Sequence, residues 1–283
     1  MIKKLSRAIS CSSNHNLLKK FSISGKHGAS AHPYIYMNIF KKFLLRAKEF
    51  LFPCACVLCG GSLIEPDETR CGLCAVCSSS ITLEQGSRCK LCGKPLISEI
   101  DTCLPCRSSE GRSYERLWAL FPYIGKYRKL ISAYKFYKNF ALACFFSDKI
   151  SEILTNVIFA EIPELKNAVI VPVPPRPGKI KDTGWDQVEY LVKRLEQLPV
   201  CRCLRRRKSK AQKSLSREER LDNLKGRIYM NDASAIQCLD AASQPAFILI
   251  DDVITTGSTI EACSAVLKEA GAGKVYGLCL FFD

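Results

Sequence analysis

Near the C-terminus four apolar residues, Phe247-Ile248-Leu249-Ile250, run without a break into two acids, Asp251 and Asp252. A run with no polar alternation suits a strand buried on both faces, as in the parallel sheets of α/β proteins. The acids then fall at the carboxyl end of the strand, where open α/β sheets bind ligands. Thr255-Thr256-Gly257-Ser258-Thr259 follows. Gly257 permits a tight turn, and Ser258 or Thr259 is placed to cap a helix. Ile260, Cys263, Val266, Leu267 and Ala270 recur at helical spacing up to a stop at Gly271. Strand, turn and helix N-terminus together aim backbone N–H groups at one spot that suits a phosphate. Like charges repel, so Asp251 and Asp252 suit the hydroxyls of a sugar carrying that phosphate.

This stretch resembles the phosphoribosyl pyrophosphate (PRPP) loop of type I phosphoribosyltransferases. The resemblance implies an α/β fold with a central, mostly parallel sheet flanked by helices. It implies that Asp251 and Asp252 hold the ribose hydroxyls and are the catalytic carboxylates, stabilising the positive charge that grows on the sugar. It implies too that Thr255, Thr256, Gly257, Ser258 and Thr259 wrap the 5′-phosphate. The plain alternative is an ordinary strand–turn–helix with a polar turn.

Cysteine spacing sets the second constraint. Ten of the 17 cysteines lie between Cys54 and Cys106, and four C-x-x-C pairs stand out: Cys56/Cys59, Cys74/Cys77, Cys89/Cys92 and Cys103/Cys106. Each pair presents two thiolates to one ion, and two pairs complete a tetrahedral Cys₄ site. Two structural zinc ribbons in series are expected, stabilising a module too small to hold a core of its own. Cys71-x-x-Cys74 is an equally good pair, so Cys71 competes with Cys77 for the first site. Iron–sulfur ligation uses the same thiolates and stays open. Such spacing points to metal-bound thiols in a reducing cytoplasm and away from a secreted disulfide scaffold. The three histidines all lie within the first 32 residues, which excludes a histidine-based triad or dyad from the body of the chain.

The remaining text is placed around these two features. Residues 1–36 hold no acid and are expected to be a disordered extension, either a transit peptide or a segment ahead of a start at Met37. Residues 37–53 read as an amphipathic helix that packs on its own domain or touches a membrane surface. No apolar run is long enough to span a bilayer. Residues 107–115 read as a polar linker. A strand is expected from Arg116 to Tyr123, a helix from Lys126 to Asn139 and another from Ser147 to Phe159. Ala168-Val-Ile-Val-Pro-Val-Pro-Pro175 reads as a strand ending in a proline-stiffened loop. Arg176, Lys179 and Lys181 follow and suit a pyrophosphate. A helix is expected from Gly184 to about Leu198, and a last strand at Lys274–Phe282.

Arg205, Arg206, Arg207 and Lys208 open a strongly basic block, and the net charge is +15. That balance favours polyanionic partners, whether pyrophosphate or nucleic acid. Ser216 and Glu219 have capping-box spacing for a helix behind it.

A four-knuckle cysteine module followed by such a domain is similar to the ComF family of competence-associated, GntX-like phosphoribosyltransferases. The likeness runs from about Asn38 to Asp283 and includes the Val-Pro-Val-Pro strand end, Gly184-Trp185-Asp186-Gln187, and Gln212, Leu215, Arg220 and Asn223. Where the family usually has Arg-Gly-Phe-Asn-Gln, this chain has Thr183-Gly184-Trp185-Asp186-Gln187, an arginine lost and an acid gained. The resemblance implies a 1–36 extension, a 37–53 helix, a 54–106 double zinc ribbon and a 114–283 transferase domain. It implies PRPP with magnesium as ligand, and uptake or processing of single-stranded DNA beside competence-machinery proteins. A reading from another class is a PRPP- or nucleotide-sensing adaptor that binds single-stranded DNA without catalysis. No motif names the acceptor.

Overall fold

The computed structural model describes residues 54–83, 86–97, 101–107, 111–207, 224, 226–231 and 245–283. The expected 1–36 extension, the 37–53 helix, Lys208 and the block from 209 to 223 lie outside them. The chain divides into two compact units. One runs up to Ile81 and takes in Ser132–Leu142; the other joins Thr82–Ile131 to Ala143–Asp283.

The first unit holds the first cysteine repeat. Its short helix α1 (Pro66–Cys71) starts with proline at the first position, and Glu65 and Glu68 form a reciprocal capping box. Helix α2 (Ala75–Ser79) follows, capped by the Cys74 sulfur, which accepts from Cys77 N–H. Leu63, Leu73 and Ile81 are buried between these pieces. In the Ser132–Leu142 segment of the same unit, Tyr134 and Leu142 are buried as well.

The second unit is the α/β body. Strands β1 (Arg116–Pro122), β2 (Val169–Pro172), β5 (Phe247–Ile254) and β6 (Val275–Phe282) form one sheet in the order β1-β6-β5-β2, every neighbour parallel. Every residue of β6 except the last is buried, and so are Phe247 to Ile250 of β5. Such burial on both faces is what an unbroken apolar run requires. Helix α8 (Ser258–Glu269) lies against β5 and β6. Helix α7 (Gln187–Val192) lies against β5 and β2. A separate antiparallel pair, β3 (Leu204–Arg206) and β4 (Ile228–Met230), packs at α8. The expected α/β architecture with a cysteine-rich N-terminal module is therefore present.

Several elements differ from expectation. Helix α4 (Gly125–Lys135) stops four residues short of Asn139, where Lys138 takes a left-handed φ of 53°. Helix α5 (Leu142–Ile153) begins five residues before Ser147, because Leu142, Phe145 and Phe146 all bury their side chains. It then passes through a π-turn at Leu154–Ile158. The loop cations Lys179 and Lys181 fall on a one-turn helix α6 (Lys179–Thr183).

The second cysteine repeat, which ends in the short helix α3 (Leu104–Arg107), belongs to this α/β unit and covers the outer edge of β1. Arg88 Nη1 donates to Gly93 O at 2.9 Å and to Ala119 O on β1 at 2.8 Å. Gly93 presses so closely on that strand that a Cβ there would sit 2.7 Å from Leu117 O. An exposed edge strand invites pairing with another chain, and this repeat blocks it.

Candidate functional site

The carboxyl end of β5 is open on one side. Strand β2 pairs with β5 only as far as Pro172 against Ile250, whereas β6 follows β5 to Ile254. Beyond Ile250 the chain of β2 turns off through Val173, Pro174 and Pro175, after one last bond from Val173 N–H to Ile250 O at 3.0 Å. Asp251 and Asp252 therefore lie within the strand, at the level where its neighbour leaves. An open cleft of about 330 Å³ is lined by Asp251, Val253, Ile254 and the turn from Thr255 to Ile260.

The turn is built around Gly257, which has φ +78° and caps α8. A side chain is disfavoured at that angle, which accounts for the glycine. Capping by Ser258 or Thr259 is thereby corrected: both lie inside the first turn of the helix. Thr256 Oγ1 and Ser258 Oγ bond to each other at 2.8 Å. The first N–H groups of a helix lack intrahelical acceptors and carry its positive end, so this turn can take an anion.

Asp252 is buried and accepts a bond from the side-chain amide of Gln187, itself buried at the start of α7. Asp251 is half-buried and receives Asp252 N–H on Oδ1 at 2.8 Å. In the sequence Gln187 stands out only as part of the Gly-Trp-Asp-Gln motif. At 4% exposure it is buried, and its amide is spent on the strand that carries the acids.

The expected cations separate. Arg206 lies beside Asp251 and Arg176: burial and the Arg176 charge pull its guanidinium below the ordinary value, while Cys263 and Asp251 oppose them. Lys179 is ion-paired with Asp186 at 3.1 Å, and the same Asp186 Oδ1 accepts Val188 N–H to cap α7. Asp186 therefore takes up the lysine's charge. Arg205 is exposed and donates to Arg202 O and Leu204 O. Arg207 lies 4.7 Å from the Tyr229 ring centre. Burial and the Asp251 charge push the Cys263 and Cys279 thiols up, so both stay neutral beside the acids.

Among the described residues the sulfurs gather into two groups: Cys56, Cys59, Cys74 and Cys77, and Cys89, Cys92, Cys103 and Cys106. Within each, the ligand atoms lie within 4.8 Å of one another. A Zn–S bond of about 2.3 Å gives a tetrahedral edge of about 3.8 Å. Cys59 and Cys74 are 3.8 Å apart, and Cys92 and Cys103 are 3.6 Å apart. That spacing closes on a single ion, while a multi-iron cluster, whose cysteines attach to separate irons, needs wider sulfurs. Each group could hold one zinc ion. Cys77, not Cys71, completes the first.

The repeats share one local design. Cys56 N–H donates to Gly61 O at 2.8 Å as Cys89 N–H does to Lys94 O; Leu63 N–H donates to Cys54 O as Leu96 N–H does to Ser87 O. The extra Cys54 thus stands where the second repeat has a serine. Burial raises the Cys56 thiol, but the N–H groups of Cys59, Cys74 and Leu58 outweigh it and bring it to about 6. The same balance brings Cys89 to about 7. A bond from Cys74 pushes Cys77 up to about 12, and burial pushes Cys106 up to about 11. Sulfurs this close cannot all ionise unless a cation sits among them.

The expected linker at 107–115 is in part something else. Arg112, Ser113 and Tyr114 are packed, and Tyr114 is only 2% exposed. Ser113 N–H and Oγ both donate to Glu261 Oε1 on α8, at 2.9 and 2.7 Å. One buried aromatic in a polar stretch was the signal available in the sequence.

No protein-family model matches the chain. A curated relative, the competence protein ComFC of Streptococcus pneumoniae, is 30% identical over 177 residues, covering 62% of this chain and 70% of the relative. Among the described residues no helix is long and apolar enough to cross a membrane. With two Cys₄ groups ahead of a parallel α/β sheet, and a relative matched over most of its length, the chain belongs to the ComF family.

Proposed function

We propose that the chain binds PRPP with magnesium and transfers or exchanges its phosphoribosyl group, releasing pyrophosphate. The observation that supports this reading is the departure of β2 from β5 past Pro172: Asp251 lines an open cleft with the Thr255–Thr259 turn, and Asp252, the next residue of the strand, is buried against Gln187. The two acids take the ribose hydroxyls and offset the positive charge that grows at C1. Thr255, Thr256, Gly257, Ser258 and Thr259 take the 5′-phosphate. Arg206 and Arg176 face the leaving pyrophosphate. The bond from C1 to the pyrophosphate oxygen breaks with its electron pair leaving on pyrophosphate, and the acceptor's lone pair closes on C1. Magnesium bound to the substrate oxygens would offset their charge. On this reading residues 114–283 are the transferase domain, and 54–106 are a double ribbon whose two zinc ions are structural.

The relative is named for competence, and we infer a related setting here: a cytoplasmic step in handling single-stranded DNA taken up by the cell.

The test is a thermal shift of the zinc-loaded protein with PRPP and magnesium, against the Asp251→Ala/Asp252→Ala double variant. Ligand at about a hundredfold over Kd adds roughly 2.7 kcal/mol, which is roughly 5–10 °C for a domain of this size. A rise in the wild type alone is expected. An equal rise in a folded double variant would sink the assignment.

One observation favours the adaptor reading. The β3–β4 pair presents Arg205 and Arg207 with Tyr229 beneath Arg207, a cationic and aromatic face suited to stacked bases. Binding of a single-stranded oligonucleotide that weakens steeply with salt, and is lost in Arg205→Gln/Arg207→Gln, would support it.

A further inference from the structure

Arg112 stands between the second cysteine group and the phosphate turn. Its Nη2 lies 3.1 Å from Cys106 Sγ. Its Nη1 donates to the Tyr114 hydroxyl, and its guanidinium sits 5.4 Å from the Tyr114 ring centre. That hydroxyl reaches the Gly257 turn: a Cβ on Gly257 would lie 3.5 Å from Tyr114 Oη and 3.8 Å from Arg112 Nη1. Between these two residues, Ser113 is held on α8 by two bonds to Glu261 Oε1, and its carbonyl accepts from Ser264 Oγ. Three consecutive residues are thus pinned along the first turns of the helix that begins at the phosphate turn. One end of the guanidinium meets a cysteine ligand and the other a tyrosine that rests on the turn.

Four thiolates around one divalent ion leave a net negative charge on the sulfurs, and a neighbouring donor answers it. Such outer-shell donors both hold ligands in place and tune metal affinity. Here the donor is one rigid, planar group with two ends. Any rearrangement of Cys106 on metal loss shifts the fork, and through Tyr114 shifts the backbone at Gly257.

We propose that Arg112 is a positioning residue that couples metal occupancy of the second cysteine group to the shape of the phosphate turn. Metal binding at Cys89, Cys92, Cys103 and Cys106 and phosphoribosyl binding at Asp251–Thr259 therefore strengthen each other. This rests on the phosphoribosyl reading of the turn given above. Coupling between two sites is reciprocal, so each ligand changes the other's affinity by the same factor.

The test uses the full zinc-loaded chain, PRPP with magnesium, and ribose 5-phosphate as a probe of the phosphate turn alone. Zinc transfer to a chelating dye is followed with and without each probe. At equilibrium both probes should tighten one of the two metal sites, PRPP by about tenfold, the usual scale of an outer-shell effect. Tyr114→Phe removes only the hydroxyl, and Arg112→Lys keeps the charge but not the two-ended reach. Both variants should start with two zinc ions and wild-type melting temperature, lose the protection, and bind PRPP more weakly by the same factor. A variant that merely loosened the fold would instead lose zinc at the outset. Wild-type PRPP affinity and intact zinc protection in both variants would overturn the coupling alone. No PRPP or ribose 5-phosphate binding in the wild type would overturn the phosphoribosyl reading and this inference together.

Discussion

Gln187 and Asp252, 65 positions apart in the chain, meet in the interior, where the side-chain amide donates to the buried carboxylate. The bond fixes α7 to the strand that carries the acids. It also turns one carboxylate oxygen away from solvent, so that Asp252 is oriented before any ligand arrives.

Replacing Gln187 with alanine takes that donor from a buried carboxylate, which costs about 1–3 kcal/mol. PRPP affinity should fall by about tenfold, equivalent to ~1.4 kcal/mol. Gln187→Glu should be worse on both counts, because two carboxylates then face each other. Chemical denaturation and ligand-induced thermal shift check the two effects separately. A Gln187→Ala protein with wild-type stability and PRPP affinity would remove the residue from the site.

Asp186→Asn should raise affinity for pyrophosphate. Asparagine still caps α7, while Lys179 Nζ, now 3.1 Å from a carboxylate oxygen, is released to meet an anion. Isothermal titration with pyrophosphate and magnesium should show severalfold tighter binding and little change in melting temperature. Weaker binding would mean that the pair itself shapes the loop.

Among the cysteines, the geometry separates ligands from bystanders. Cys77→Ser should purify with one zinc ion instead of two, whereas Cys71→Ser and Cys54→Ser should keep both. Metal analysis of the purified variants decides it. Loss of an ion from Cys71→Ser with retention in Cys77→Ser would reverse the assignment.

Acid should strip the metal. The Cys56 and Cys89 thiols are held at about 6 and about 7, below the ordinary 9.0. A depressed value means that the thiolate, and the affinity it brings, is present at neutral pH and is lost as pH falls through those values. A bound ion competes with the proton, so release from the loaded protein should come below about pH 6. Zinc release to a chelating dye across that range is the measurement, and loss of metal on raising the pH from 7 to about 8 would contradict the sign.

What the sequence made legible is what local rules govern. An unbroken apolar run before Asp251 is enough to place a parallel strand. C-x-x-C spacing is enough to place four sulfurs around an ion, although choosing between Cys71 and Cys77 took three dimensions. Partners set by long-range folding were hidden. Lys179 reads as a free loop cation until Asp186, the cap of the next helix, is seen to pair with it. Gln187 reads as a helix opener until Asp252 arrives from a strand 65 positions later. Arg112 and Tyr114 read as linker because the residues that hold them, Cys106 on one side and the α8 turn on the other, are far apart in different senses: one in chemistry, one in sequence. The cap of α8 was misplaced for a simpler reason. Ser258 and Thr259 have the better side chains for it, but the chain needs a left-handed residue there, and only Gly257 supplies one at no steric cost.

The seal on β1 reaches beyond the site. Because Arg88 and Gly93 close the border of the sheet from within a repeat whose four cysteines could hold a zinc ion, the supply of zinc would govern more than fold stability. A chain that loses its second ion uncovers the backbone of Leu117 and Ala119, a template on which a like molecule can add its own strand. Zinc starvation would then show first as self-association, with the population removed from solution before any loss of chemistry in the molecules that remain.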